Sequence, residues 1–218
     1  MIADDSESRR RFIAQNTTLA PTPFVPEIRL HMASEATELW EKTESELGRI
    51  GLPPPFWAFA WAGGQALARH VLDHPQIVRG RRILDFAAGS GLVSIAAAKA
   101  GASHVTACEI DAFAIEAMAL NAAANGVSVD ARLGDFVDRD DRWDVVLAGD
   151  VSYERDMAER VTRWLYALHT RGAEVLIGDP GRAYLARDRL EKVAEHDVPV
   201  IRDLEDADVK TTAVWRFR

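Results

Sequence analysis

The sequence predicts an α/β fold, a mostly parallel sheet covered by helices on both faces. Three observations carry this expectation. From residue 82 onward, short apolar runs alternate with helical ones. The stretch Arg82–Asn125 reads as one βαβ unit: a strand through Ile83-Leu84 ending in Asp85, a turn of small residues, an Ala-rich helix, and a second strand closing on Glu109. Finally, 218 residues at 48% hydrophobic content can bury one ordinary core, and the chain has no internal repeat or low-complexity tract.

Taken in order, residues 1–60 form an N-terminal extension to a domain spanning 61–218. Residues 3–17 suit a short helix with a frayed start. Leu19–Pro26 carries three prolines and should be extended. Ile28–Met32 alternates as a strand does, and Glu35–Leu47 has the apolar face of a helix until Gly51–Pro55 breaks it. The domain itself is expected as a helix at 63–74, strands at 82–87, 104–109, 130–133, 144–149 and 174–177, and helices at 91–100, 112–124, 155–169 and 182–194. Strands at 198–202 and 211–217 then close the sheet as an antiparallel hairpin.

Composition narrows the function classes. A net charge of -8 disfavours nucleic acid as a main partner, because neutralising phosphates needs a basic surface. No apolar run reaches membrane-spanning length and the N-terminus has no secretory apolar core, so a cytoplasmic setting is expected. The single cysteine, Cys108, rules out an intramolecular disulfide and reads as a buried strand residue. His70 and His74 share a helix face, but lack the further ligands a metal needs and read as surface residues; no metal is expected. Gly-Ser-Gly around Ser90 is not the G-x-S-x-G elbow of a hydrolase. A monomer is expected.

The chemistry sits at strand ends, where open α/β sheets bind ligands. The turn Ala87-Ala88-Gly89-Ser90-Gly91 lets backbone approach a ligand, and an acid about 20 residues on, Glu109, suits ribose hydroxyls. A dinucleotide pattern would need a glycine at Ser94, and Asp85 would repel a pyrophosphate. An acid there suits a cation, such as the amino group of a methionine moiety, which points to S-adenosylmethionine. Asp135 after the third strand could accept from an adenine amino group, with Phe136 packed on the ring. Gly149-Asp150 closes the fourth strand, beside the expected reactive methyl.

The pattern Asp85-x-Ala87-x-Gly89-x-Gly91 resembles the Asp/Glu-x-Gly-x-Gly-x-Gly motif of the seven-strand class I methyltransferases, which implies a Rossmann-like sheet of seven strands. Ala87 replaces the first glycine; the turn tolerates this if φ there is negative. Two further segments extend the likeness: PPPFWAFAWAGGQALARHVLDHP before the glycine turn and GDVSYERDMAERV after the fourth strand. Together they resemble the protein-lysine methyltransferases marked by Asp-x-Phe-Tyr-Glu, and most of all the electron transfer flavoprotein β-subunit lysine methyltransferases. Ser152 stands where that family has an aromatic, whereas Asp150, Tyr153 and Glu154 match.

The resemblance implies roles. Trp61, Asp85, Ala87, Ala88, Gly89, Gly91, Glu109, Asp135, Phe136 and Gly149 would hold S-adenosylmethionine. Asp150, Tyr153 and Glu154 would serve the transfer. Trp57 would wall the lysine channel, and Arg182 would stand at the substrate mouth. A lysine titrates near pH ~10.4 when free, so the acceptor must lose a proton; a carboxylate favours the ammonium, so Asp150 captures and orients more than it deprotonates. No single residue stands out as a general base. The alternatives are a ribosomal-protein (L11-like) methyltransferase, which the Gly-Ser-Gly helix and the Asn121…Asn125-Gly126 run also resemble, and a non-catalytic cofactor-binding scaffold.

Overall fold

In the computed structural model, which describes residues 5–33 and 54–218, the chain opens with helix α1 (Ser6–Asn16). The Asp5 carboxylate caps it by accepting the Ser8 N–H at 2.9 Å. Strands β1 (Thr18–Pro21) and β2 (Arg29–Met32) pair as an antiparallel hairpin. The helix expected over Glu35–Leu47, and Gly51–Pro53 of the break after it, lie outside the described residues. A 3-10 turn (Phe56–Ala58) leads into helix α2 (Ala62–Asp73).

The rest alternates as expected: β3 (Arg82–Phe86), α3 (Leu92–Lys99), β4 (His104–Glu109), α4 (Ala112–Ala124), β5 (Asp130–Leu133), β6 (Val145–Gly149), α5 (Arg155–Thr170) and β7 (Glu174–Asp179). Strand β8 (Leu190–Pro199), the short helix α6 (Arg202–Glu205) and strand β9 (Val209–Phe217) complete it. The seven strands order as β5-β4-β3-β6-β7-β9-β8, with β9 antiparallel to both neighbours and the others parallel. This is the Rossmann-like seven-stranded sheet with helices on both faces.

Two expected elements are different. No helix spans 182–194; a 3-10 turn at Arg187–Arg189 is followed by β8, and residues 202–205 are helical where a strand end was expected. The charges at Glu191, Lys192 and Glu195 suggest a helix locally, but residues 190–199 pair with β9 along its whole length, through one irregularity between Lys192 and Ala194. The ladder and the burial of Leu190 and Val198 at its two ends override that weak local preference.

The N-terminal segment packs on the same body as the sheet. Phe12 meets Phe113 edge to face at 5.6 Å, and Trp57 stacks on Phe113 at 6.2 Å. Glu116 on α4 receives the Ser6 hydroxyl and the Arg10 guanidinium, each at 2.6 Å. The asparagines that suggested a ribosomal-protein enzyme are fasteners. Asn121 accepts from the His31 N–H and donates to the Ser90 carbonyl, while Asn125 exchanges two hydrogen bonds with Arg29. Hairpin, glycine turn and α4 are thus tied together.

Two anchors fix the sheet's carboxyl edge. The first is steric. A Cβ on Gly63 would strike the Gly178 carbonyl, and one on Gly178 would strike the Gly63 carbonyl, so α2 begins in backbone contact with β7. Gly63 therefore serves packing. The second is Asp85. It is 1% exposed, and Oδ2 accepts the Ser94 N–H at 2.8 Å and the Ser94 hydroxyl at 2.6 Å. Asp85 thus ties β3 to the first turn of α3 and does not reach the cavity described below; a cation-binding role for it is corrected. Burial raises its carboxyl to about 7.

Gly63→Ala should lower stability by about 1–3 kcal/mol through overpacking, whereas Gly64→Ala, whose Cβ would meet open space, should be neutral or slightly stabilising. Urea denaturation of both variants checks this; equal effects would refute the steric account. Asp85 provides a pH test. The folded state holds this proton more tightly than the unfolded chain, so its contribution to stability declines as pH rises from about 4 to about 7. Asp85→Asn keeps an acceptor for Ser94 and removes that decline. Its melting temperature should fall less between pH 5 and pH 8 than the wild type's, by several degrees. Parallel curves would show that the carboxyl ionises normally.

Candidate active site

A cavity of about 550 Å³ opens beyond the carboxyl ends of β3, β4 and β6, where the strand order reverses. Its floor is the glycine turn. Gly91 takes the left-handed conformation at the start of α3 (φ 78°), and a Cβ there would meet Met118; it shapes the turn from beneath without facing the cavity. Ala87 and Gly89 line the cavity, whereas Ala88 is turned aside, its N–H donated to the Cys108 carbonyl. Ala87 has φ 53°, so the expectation of a negative φ is overturned: this turn keeps the glycine-type conformation with a methyl on it. An L-residue held there is strained by roughly 1–2 kcal/mol, which the surrounding hydrogen bonds must offset.

Glu109 ends β4 at the cavity wall. One oxygen accepts the Gly89 N–H at 3.1 Å and the other the Ile110 N–H at 2.7 Å, which fixes the carboxylate plane. Burial pushes its carboxyl above the usual range and these N–H groups pull it back. Ile110, 73% exposed, stands at the rim beside it. Cys108 borders the floor, and burial pushes its thiol up to about 12, so it stays protonated and unreactive.

On the opposite side β6 delivers Gly149 and Asp150. Asp150 is left-handed (φ 56°), a second strained backbone at the cavity. Its Oδ2 accepts the Gly64 N–H at 3.0 Å and its Oδ1 the Arg182 guanidinium at 2.8 Å. Burial raises this carboxyl to about 6 against the pull of Arg182. Arg182 is also gripped by Glu205, at 2.5 and 2.9 Å, and its charge lies 5.8 Å from the centre of the Trp61 ring. Trp61 itself lines the cavity and donates its indole N–H to the Phe56 carbonyl.

An aromatic mouth surrounds this end. Tyr153, 53% exposed, faces Phe56 with ring centres 6.1 Å apart, and Trp57 contributes an inner edge while stacked on Phe113. Phe56 was not singled out from sequence, although it adjoins Trp57 in the same aromatic run. Nor were Asp111, Met157, Arg160 and Glu205; of these, the first three line the cavity and Glu205 holds Arg182.

Besides Asp85, Ala88 and Gly91, two further expected site residues stand outside the cavity. Phe136 is 2% exposed, packed near Trp143 and under the Arg139 guanidinium, so Val137 and not Phe136 reaches the cavity. Glu154 points to solvent and caps α5, accepting the Asp156 and Met157 N–H groups. Asp135 does line the cavity, with one oxygen paired to Arg160 at 2.7 Å. His70 is buried, not on the surface, and its ring centre lies 4.4 Å from that of His74. Among the described residues no group of three or more His, Cys, Asp or Glu could hold a metal ion.

The arrangement offers a carboxylate for vicinal hydroxyls at one end and an aromatic-walled carboxylate at the other. Comparison with known proteins places the chain among methyltransferases. Residues 66–173 match the ribosomal protein L11 methyltransferase (PrmA) family. The fold is similar to magnesium protoporphyrin IX methyltransferase (ChlM) from Synechocystis PCC 6803, solved with bound SAM, at TM-score 0.53 and 13% identity over 71% of this chain and 78% of that one. Much nearer in sequence is the electron transfer flavoprotein beta subunit lysine methyltransferase of Xenopus laevis, 37% identical over 95% of this chain and 86% of that protein. The Homo sapiens protein of the same name is 34% identical over 96% of this chain and 82% of its own length. Identity at this level along nearly the whole chain, whose paired acids, glycine turn and aromatic mouth meet at one cavity, shows that it belongs to the electron transfer flavoprotein β-subunit lysine methyltransferase family.

Proposed function

We propose that this protein methylates lysine side chains of the electron transfer flavoprotein β-subunit, using S-adenosylmethionine. The observation that carries the reading is the paired placement of Glu109 and Asp150 on opposite walls of one cavity, in a chain 37% identical to an enzyme of that name.

The residues present fit the cofactor. A cavity of about 550 Å³ is within the range of small-molecule sites, roughly 300–1,000 Å³. Glu109, its plane fixed by two N–H groups, suits a ribose diol; Ile110 and Val137 offer apolar surface to an adenine, and Asp135 an acceptor for its amino group. The bound cofactor would supply a methyl on a sulfonium: the amine lone pair forms the N–C bond as the C–S bond breaks, its electrons stay on sulfur, and the positive charge moves to nitrogen.

The chain's own residues perform the remaining work. Asp150 has two oxygens with one hydrogen bond each from the protein, which leaves lone pairs to accept N–H groups of an incoming amine. The rings of Phe56, Trp61 and Tyr153 exclude water and accommodate the cationic head of lysine and its methylated products. Alignment of amine with methyl, rather than acid–base chemistry, is the main contribution of such a site. The match to the L11 methyltransferase family supports a second reading, a ribosomal protein as acceptor.

Peptide mass spectrometry of electron transfer flavoprotein, after incubation with this protein and S-adenosylmethionine, should show steps of one methyl on lysine peptides of the β-subunit. Methylation confined to ribosomal proteins would favour the second reading, and cofactor binding without transfer to any protein would leave a scaffold. Glu109→Ala should weaken cofactor binding by more than tenfold in titration calorimetry, since a ligand hydrogen bond to a charged group contributes about 1.5–3 kcal/mol. Asp150→Asn should bind cofactor normally and lose most transfer; full activity would move the acceptor site elsewhere.

A further inference from the structure

The charges around Asp150 form an alternating chain. Lys210 Nζ on β9 lies 3.2 Å from Glu205; Glu205 on α6 binds Arg182 through both oxygens; Arg182 binds Asp150. The sum is zero. The Glu205 side chain is 3% exposed, and that of Arg182 19%. The guanidinium uses two nitrogens for carboxylates, while its Nε is buried without a partner. Arg182 is thus held by charge at the reactive end of the cavity, not by a full set of donors' partners. The other groups around it are Asp179, whose Oδ1 accepts the Arg182 and Gly181 N–H groups, Arg187 beside Gly181, and the Trp61 ring.

This matters because Asp150 alone would be the wrong group for the reaction. A lysine reaching a buried unpaired carboxylate gains an ion pair and keeps its proton, and an ammonium has no lone pair to receive a methyl. A fixed cation beside the acceptor has the opposite effect, as for amines activated by a neighbouring cationic group. We propose that Arg182 offsets the charge of Asp150 so that Asp150 orients a neutral amine instead of trapping an ammonium, with Glu205 as the positioning residue that fixes Arg182 there. The proton lost from R–NH3+ passes to water, leaving R–NH2 with its lone pair free. No general base is then required. The inference rests on the lysine methyltransferase reading.

The test is kcat for transfer to electron transfer flavoprotein between pH 6 and pH 10, for wild type, Arg182→Gln, Arg182→Lys and Glu205→Gln, each checked for cofactor binding. Arg182→Gln should move the rising limb up by about one pH unit, giving about tenfold lower kcat at pH 7 and recovery near pH 10, with KM unchanged or lower. Arg182→Lys should restore the wild-type limb. Glu205→Gln keeps an amide oxygen to hold Arg182 while leaving its charge less compensated, and should move the limb down. These opposite signs separate charge from damage to the fold, which would lower the rate equally at every pH. If Arg182→Gln does not fold, the downward shift of Glu205→Gln and the restored limb of Arg182→Lys decide alone. Wild-type transfer with unshifted variants would overturn this inference and leave the lysine reading standing. No transfer by the wild type would overturn both.

Discussion

The contact on which the site depends is backbone against backbone, Gly63 on Gly178. With no side chain between them, α2 starts directly against the ends of β6 and β7. That closeness brings the Gly64 N–H to Asp150, and a Cβ on Gly149 would already lie 3.0 Å from Gly64. The segment leading into α2 carries Phe56, Trp57 and Trp61, so the same contact sets the aromatic mouth over the strand ends. Two strained residues, Ala87 and Asp150, follow the neighbouring strands β3 and β6. Strain at these points persists only because the packing around them leaves no alternative.

Much of this was legible in the sequence because it rests on strong local patterns. Alternating apolar runs gave five parallel strands nearly residue for residue, and Glu109 and Asp150 were readable as acids that close strands. What misled were groups whose local chemistry has two solutions. Asp85 precedes a glycine turn as a ligand-binding acid would, yet Ser94 is at the spacing of a helix-anchoring partner and takes it. Glu154 matches a catalytic motif, but a Glu before a helix is also a cap, and it caps. Phe136 follows a strand in the right place and turns inward. Glu205 offered no sequence signal at all, because its pairing with Arg182 spans 23 residues and depends on a hairpin whose first strand looked helical.

The cavity's electrostatics follow a division of labour between its two ends. Glu109 is bound only by backbone N–H groups, dipoles that stabilise its charge without cancelling it, so it remains a strong acceptor. Asp150 is bound by a full positive charge. Two half-buried acids on one cavity therefore differ in character: one keeps its field, the other has its field neutralised. The overall charge of -8 has little part in this, since buried pairs are screened far less by salt than the surface is.

The placement of β9 has a bearing on how the chain reaches this state. It lies between β7 and β8, yet both precede it in sequence. During synthesis β7 must wait with an open edge until residue 217 has been made, because β8 cannot pair with it directly. Such an edge is a template for pairing with other chains. The interval is also when Glu205 has no strand to fix it and Arg182 no second carboxylate. Completion of the sheet and completion of the charge chain are thus a single late event, governed by slow non-local pairing. A nascent chain stalled short of β9 would expose an adhesive strand and an unassembled site together, the kind of intermediate that chaperones bind.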